Sequence, residues 1–491
     1  MASLQALEDE VEAFCRAGAQ AQADAATGRT AAADLGAVER AHPLVVSSDT
    51  LAAMRAALAS PKTPETQRPR LAALVPFLLR AVTDAAVRPE DDALFSARRT
   101  HLVSAAGVSV PLASAWARIH EEPERARRAA LAAATDTEEL SLLGAVERRW
   151  EAARTAAQGL GAGPPPPTAE LQTEAADFLR VTEDAWRDVL GYAVRRLEPE
   201  LRPLPQGDAA LHDFLRLVEA PLPGAFPAAD RLGAVRRWLL ASGLTLEAQG
   251  RVRLDEEGRA SLPQAGSFAV EVPERVLLVL PAPGHGAFAT LLEATGRARA
   301  TAAVSPSASL LARRLGDEAV RASASGLVRG VLLSAPWLRR FLGHGKTLAR
   351  EVARLAALAQ LGELRLLAAR LPLMHGLEEA GPSLAGLKSL ASAASEALFL
   401  HVPEGALLQA LWSPGREAQG LRAAALAEAL RHEADERFDA EDFRNPEAAR
   451  WLGQVWARGA ELDAEALGKD VSGAAPSLSS VARRLLAVLG A

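Results

Sequence analysis

Apolar side chains recur at helical spacing through most of this chain of 491 residues. In residues 1–24 they fall three or four positions apart, from Leu4 through Leu7 and Val11 to Phe14. This spacing puts them on one face of a helix, which can then pack against a core. The same spacing predicts further helices over residues 70–87, 122–158, 168–196, 210–217 and 229–241, around Leu51, and over most of the chain from residue 287 onward.

Two polar signals predict where helices begin. Thr135 and Glu138 have the spacing of a capping box, in which each side chain bonds to the backbone at the other position. We therefore expect the run over 122–158 to divide into two helices near Thr135. Asn445 followed by Pro446 predicts the start of a late helix, because the first caps the backbone and the second fits the first turn.

Strand signals are concentrated in one section of the chain. Three short runs with strand character, bounded by turn residues, cover residues 251–254, 266–272 and 275–280. A short extended piece is also predicted over 102–112, between two helices. The expected fold class is mainly α, with one small β-sheet at about 250–281.

A Pro-rich segment over 161–167 predicts a stiff turn or short linker. The pattern changes again after the Pro-Leu-Pro sequence at 203–205. We predict two domains on this basis. An N-terminal helical lobe covers 1–204, and a second lobe over 205–491 contains the small sheet and the C-terminal helices.

The composition argues against several classes of function. The net charge is −6, and acidic and basic residues are interspersed. A nucleic-acid-binding surface would instead show clustered basic residues, so no nucleic-acid partner is expected. Only four of the 55 basic residues are Lys, and this dominance of Arg, with abundant Ala, indicates a GC-rich bacterial genome.

Cys15 is the only cysteine, which excludes an intrachain disulfide and a thiolate metal cluster. The acidic N-terminus lacks the basic start and apolar stretch of a signal peptide. No window reaches 18 consecutive apolar residues, so no membrane span is expected. We therefore expect a soluble cytoplasmic protein.

The segment LLEATGRA, residues 291–298, follows a predicted strand and a Pro- and Gly-rich turn. It resembles the zinc helix of the thimet-oligopeptidase and oligoendopeptidase F family of metallopeptidases, which reads roughly LLHExGHA. Two His at i and i+4 can close on one zinc ion, and a Glu between them can act as general base. In this chain Glu293 stands at the first His, Ala294 at the Glu, and Arg297 at the second His.

Other fragments extend the resemblance over most of residues 205–470. The segment GSFAVEVP at 266–273 resembles a strand of the family, and RLGDEAVRA at 314–322 resembles the helix that carries the third zinc ligand. Ala322 stands at the position of that ligand. The resemblance implies a two-lobed, oligopeptidase-like helical body, with a cleft between the lobes and the sheet beside the degenerate zinc helix.

The groups that metallopeptidase chemistry requires are missing at these positions. Arg297 is a permanent cation that cannot coordinate a metal, and Ala294 and Ala322 have no donor atom. The family supplies oxyanion donors from a late Tyr-rich helix, but residues 412–430 contain no Tyr and no His. We therefore predict no catalytic residue, no metal ligand and no cofactor, although the family would use zinc.

Two residues are candidates for ligand binding instead. Arg297 is one candidate, and His285, in the turn before the helix, is the other. Besides this role, Arg297 is expected to face the cleft near Ala322 together with Glu293, and the i,i+4 spacing of these two residues favours an ion pair between them. The nine His residues are otherwise scattered and form no compact metal motif.

Three hypotheses of function follow. The first is a catalytically inactive pseudopeptidase that binds a peptide or regulates a partner such as an active paralogue. The second is an active zinc metalloendopeptidase whose ligands are not recognisable, and the third is a purely structural or interaction protein with a closed cleft. Metal content separates the second from the others, and an open cleft with polar residues favours the first over the third. The oligomeric state stays open.

Overall fold

A computed structural model describes residues 3–160, 168–219, 225–226, 231–255, 266–280, 286–412, 415–438 and 444–490. The predicted linker over 161–167 lies outside these residues, and so does the candidate His285. Within the described residues, no helix combines the length and the apolar character that crossing a bilayer requires. The cytoplasmic location stays a prediction.

Helices make up most of the described chain, which confirms the predicted mainly α fold class. In the first part of the chain they are α1 (Leu4–Ala26), α2 (Leu35–Ala41), α3 (Ser48–Ala59), α4 (Arg68–Ala86), α5 (Arg88–Thr100), α6 (Leu112–Glu121), α7 (Arg125–Ser141), α8 (Leu143–Gly159), α9 (Ala169–Leu197), α10 (Leu211–Glu219) and α11 (Arg231–Ala241). In the second part they are α12 (Gly286–Ala303), α13 (Glu318–Arg329), α14 (Ala335–Phe341), α15 (Lys346–Ala380), α16 (Leu384–Leu398), α17 (Arg416–Phe438), α18 (Pro446–Ala457), α19 (Ala464–Ser472) and α20 (Leu478–Leu489).

The predicted sheet is present in the section where the strand signals are concentrated. Its strands are β3 (Val252–Asp255), β4 (Gly266–Glu271) and β5 (Arg275–Val279). Strand β5 lies in the middle, parallel to β3 and antiparallel to β4. The sheet lies against α12, because β4 and β5 both contact that helix.

A second, two-stranded sheet is present where the sequence indicated only an extended piece. Strands β1 (Leu102–Ala105) and β2 (Val108–Pro111) pair antiparallel. They are joined by Ala106 and Gly107, which both have positive φ. A two-residue hairpin turn of this kind matches the twist of the strands and requires positive φ. The sheets are therefore not confined to 250–281.

The long helical run after residue 122 divides later than predicted. Thr135 lies inside α7, where its buried hydroxyl donates to the carbonyl of Leu131 at 2.8 Å. The break falls at Leu142, between α7 and α8. The capping-box interpretation of Thr135 is therefore wrong, because the hydroxyl bonds back within the helix instead of capping a new one. The predicted cap by Asn445 is present, since its side chain accepts from the Glu447 backbone.

Among the residues that the structure describes, the buried apolar side chains form four clusters. The largest extends from Leu94 to Leu489 and joins helices on both sides of position 204. A second surrounds the three-stranded sheet with α11, α12 and α14, and a third joins α1, α3 and α4. The fourth lies between α13, α17, α18 and α19. The division into domains 1–204 and 205–491 stays a prediction, and a single shared core crosses its boundary.

Candidate functional site

Helices α12 and α13 cross in close contact at Gly296. A Cβ atom at this position would lie 2.2 Å from the carbonyl oxygen of Ala324, so only glycine permits the backbones to approach this closely. The two helices run antiparallel. Glu293 consequently lies near Arg329, at the end of α13, while Arg297 lies near Glu318, at its start.

Glu293 and Arg297 do not pair with each other, so the predicted i,i+4 ion pair is wrong. Arg329 donates to Glu293 at 2.8 Å, and it also forms two hydrogen bonds to Glu363, at 2.7 and 2.8 Å. Arg297 instead donates to Glu318. The antiparallel crossing explains this, because each end of α13 presents a charge of the opposite sign to one of the two residues.

The two alanines at the resemblance positions have apolar surroundings. Ala294 is 6% exposed and belongs to the core around the three-stranded sheet. Ala322 is half-buried and packs against the cluster of α13, α17, α18 and α19. The role of Glu293, Ala294, Arg297 and Ala322 as former zinc-site positions stays a prediction.

A cavity of about 660 Å³ opens beside Arg297. Its lining residues come from α1, α2 and α4 in the N-terminal part of the chain, and from β4, α12, α13 and the segment 312–316 in the later part. Of the four resemblance positions, Arg297 is the one that lines this cavity, together with Glu318 and Arg321 from α13. The cavity therefore lies between N-terminal helices and the region of the resemblance.

Glu318 connects two arginines at this wall. Besides accepting from Arg297, its carboxylate accepts from the Arg321 Nε at 2.9 Å. Burial raises the pKa of Glu318, but Arg297 and Arg321 lower it by more, and the net shift is downward. The carboxylate is therefore ionised at neutral pH, and the cluster of Arg297, Glu318 and Arg321 has one net positive charge.

A second cluster of the same composition adjoins the cavity, which its Arg313 and Arg314 line. Arg314 donates to Glu12 of α1 through its Nε at 2.9 Å and its Nη2 at 2.6 Å. It also donates to the carbonyls of Ala269 and Val270 in β4. The Nη1 atom of Arg313 lies 3.7 Å from the same Glu12 carboxylate. One carboxylate again faces two guanidinium groups, so this cluster is also net positive.

Cys15 lines the cavity near both clusters. Burial raises the pKa of its thiol to about 11, although Arg314 and Arg321 oppose the shift. A thiol needs to ionise to act as a nucleophile or to ligate a metal. At neutral pH Cys15 is protonated, which argues against either role.

The residues around Arg297 do not fit a zinc ion. Among the residues that the structure describes, no group of three or more His, Cys, Asp or Glu side chains is arranged to hold a metal. The guanidinium of Arg297 would repel a cation, and Ala294 and Ala322 contribute no ligand atom. This donor set contradicts the zinc site of the resembled family.

Sequence reasoning missed most of the residues that line the site. Arg314, Glu318 and Arg321 all lie in the segment 314–322, whose closely spaced charges could have identified them. Glu12 could not have been found in this way, because 302 positions separate it from Arg314. Gln419 of α17 also lines the cavity, in the helix that the resemblance matches to the Tyr-rich helix of the family.

No family model matches the chain, and no curated protein matches it. Solved structures are similar in fold. The M32 carboxypeptidase from Deinococcus radiodurans R1 has a TM-score of 0.62 at 15% identity, over 99% of each chain. Metallocarboxypeptidase 1 from Trypanosoma cruzi has a TM-score of 0.61 at 14% identity, over 99% of each chain. A proposed oligoendopeptidase F has a TM-score of 0.60 at 12% identity, over 91% of this chain and 84% of that one.

These similarities extend along nearly the whole chain, but the identities are low. At such identities the similarity concerns the backbone arrangement, and activity has to be argued from the site. The neighbours include both carboxypeptidases and an oligoendopeptidase F-like protein. The chain therefore has a metallopeptidase-like fold.

Proposed function

We propose that this chain is a non-catalytic protein with a metallopeptidase-like fold, and that its inter-lobe cavity binds a peptide. The observation that carries the proposal is the cluster of Arg297, Glu318 and Arg321 at the wall where the resembled family would hold zinc. A guanidinium group cannot supply a metal-activated water or a general base. It can bind and orient an anionic or polar ligand.

The cavity itself supports binding over a purely structural role. Its volume of about 660 Å³ falls within the usual range for ligand pockets, which is roughly 300–1,000 Å³. Its lining combines charged side chains with apolar ones such as Phe14, Phe77 and Phe268. Apolar walls with a few polar groups are typical of sites that hold organic ligands. A protein with a closed cleft would not need this surface.

Metal content and peptide hydrolysis test the absence of catalysis. Purified protein is dialysed against one equivalent of zinc, and bound zinc per chain is measured by mass spectrometry. The same sample is incubated with a quenched fluorescent peptide library. We expect less than a tenth of an equivalent of zinc and no cleavage. Stoichiometric zinc together with chelator-sensitive cleavage would establish the active-metallopeptidase alternative instead.

A cavity-blocking variant tests the binding site. Ala300 is half-buried and lines the cavity, so Ala300→Trp fills part of it. Ala72, on the exposed side of α4, provides the matched control Ala72→Trp. Immobilised protein is exposed to the peptide library, and retained peptides are identified by mass spectrometry. We expect the native protein and Ala72→Trp to retain peptides and Ala300→Trp to lose them. Equal retention by all three would place binding elsewhere.

A further inference from the structure

The charges around the cavity are unevenly distributed. On the N-terminal side, Arg88 is paired with Glu39 at 2.7 Å, and Arg80 and Asp84 lie one turn apart on α4. These charges balance. On the opposite side Asp317 is paired with Arg422 at 2.7 Å. The excess positive charge therefore resides in the two clusters around Glu318 and Glu12.

Within the described part of the chain, each cluster contains a buried donor atom without a hydrogen-bond partner. The Nη1 atom of Arg321 is buried and has no hydrogen-bond partner among the described residues. In the second cluster, the Nε atom of Arg313 and the acceptor atom Oε2 of Glu12 are both buried without a hydrogen-bond partner among the described residues. Donors that are buried without a partner are rare in folded proteins and call for an explanation. An anion in the cavity between the clusters would neutralise their excess positive charge.

We infer that the cavity binds its peptide through a carboxylate, held by Arg297 and Arg321, with Arg313 contributing further positive charge. The inference rests on the proposed function and specifies the ligand class. A guanidinium group forms paired hydrogen bonds to a planar carboxylate, and partial burial strengthens them. Glu318 pairs with both arginines but neutralises only one of their two charges, so their combined charge stays positive.

Four labelled five-residue peptides distinguish the possible sources of the carboxylate. Each has alanine at four positions, with glutamate or glutamine in the centre, and a C-terminus that is either free or amidated. Fluorescence anisotropy gives a dissociation constant for each peptide. The inference requires that peptides with a carboxylate bind more tightly than the amidated glutamine peptide, which has none. Either source of the carboxylate, the C-terminus or the glutamate side chain, supports it. The pattern among those peptides then identifies the terminal or the side-chain group.

Removing positive charge and removing negative charge from the cluster should change the affinity for carboxylate peptides in opposite directions. The double variant Arg297→Gln/Arg321→Gln removes both donors, so carboxylate peptides should bind at least about tenfold more weakly. The variant Glu318→Gln removes the competing carboxylate and raises the net charge, so they should bind about threefold or more tightly. Arg180→Gln is the control, because Arg180 lies exposed on α9 and does not line the cavity. It should leave all four constants unchanged.

The outcomes separate this inference from the proposed function. If neutral and acidic peptides bind equally well, the carboxylate inference is wrong and peptide binding stands. If Glu318→Gln weakens binding while circular dichroism shows native helix content, the cluster acts as a structural clamp and the inference is also wrong. Zinc-dependent cleavage of any peptide would instead overturn the proposed function. Salt offers a last check, since raising the ionic strength should weaken only the carboxylate peptides.

Discussion

Two groups of arginine and glutamate lie in contrasting parts of the molecule. Arg98 of α5 and Glu139 of α7 form an ion pair of 2.8 Å, and both are buried. They lie beside Leu94 and Leu142 of the largest apolar core. The group of Arg297, Glu318 and Arg321 lies at the cavity wall, where each side chain is about a quarter to a third exposed.

The two carboxyl groups respond to these surroundings in opposite ways. Burial raises the pKa of Glu139 to about 7, and Arg98 only partly opposes it. The pKa of Glu318 shifts downward, because its two arginines outweigh burial. In the core, burial disfavours the ionised carboxylate, and a single neighbouring cation only partly offsets this effect. At the cavity wall a surplus of cations is tolerated, which makes that wall suited to an external anion.

The largest expected effect comes from removing the buried cation. Arg98→Met leaves Glu139 in the core without the group that favours its ionised form. Breaking a buried pair in this way typically destabilises a protein by about 3–5 kcal/mol. We expect a loss of this size in urea unfolding at pH 8, and a smaller loss at pH 5, where the carboxyl group binds a proton.

The double variant Arg98→Met/Glu139→Leu is the control. Replacing both members of a buried pair by apolar side chains is often neutral or stabilising. The double variant should therefore recover most of the stability that Arg98→Met loses. If both variants are equally destabilised, packing around Arg98 matters more than its charge, and the contrast with the cavity wall loses its basis.

The pH dependence of Glu139 gives an effect of intermediate size. Its folded pKa of about 7 lies above the ordinary value of 4.5, so the folded state holds this proton more tightly. Its contribution to stability is complete below pH 4.5 and is lost as the pH rises through 7. The stability of the native protein relative to Glu139→Gln should fall by about 1–3 kcal/mol between pH 5 and pH 8. A difference that is constant with pH would contradict the raised pKa.

Much of the fold followed from the sequence because apolar spacing determines local structure directly. The strands at 252–255, 266–271 and 275–279 lie where three short runs predicted them. The helix break was predicted near Thr135 but lies at Leu142. The capping box is a local pattern, whereas Thr135 is buried inside α7 and its hydroxyl bonds to the Leu131 carbonyl. Local rules fail where tertiary packing offers a polar side chain a different partner.

The site was less predictable for the same reason. The spacing of Glu293 and Arg297 indicated an ion pair, but α13 presents better-placed partners to both. Those partners depend on the crossing at Gly296, which no spacing within α12 reveals. The resemblance identified the neighbourhood of the cavity through Arg297. The charges of segment 314–322 can be read in the sequence, but the contact of Arg314 with Glu12, 302 positions away, exists only in the folded chain.

The smallest expected effect concerns Glu318 itself. Its carboxylate is shared by two partly exposed arginines, so solvent screens both interactions. It also lies in the first turn of α13, where a negative charge is favourable. We expect Glu318→Gln to lower stability at pH 7 by only about 0.5–1 kcal/mol.

The pH dependence should run opposite to that of Glu139. Because the folded pKa of Glu318 lies below its ordinary value of 4.5, its contribution is present above pH 4.5 and is lost as the pH falls through the folded pKa. The difference between the native protein and Glu318→Gln should therefore shrink under acid conditions. Asp177→Asn, which removes an exposed partner of Arg180, is the matched control and should change stability less. A loss at pH 7 as large as that of Arg98→Met would mean that Glu318 is required to hold α12 and α13 together, and the surplus charge would then be a by-product of folding.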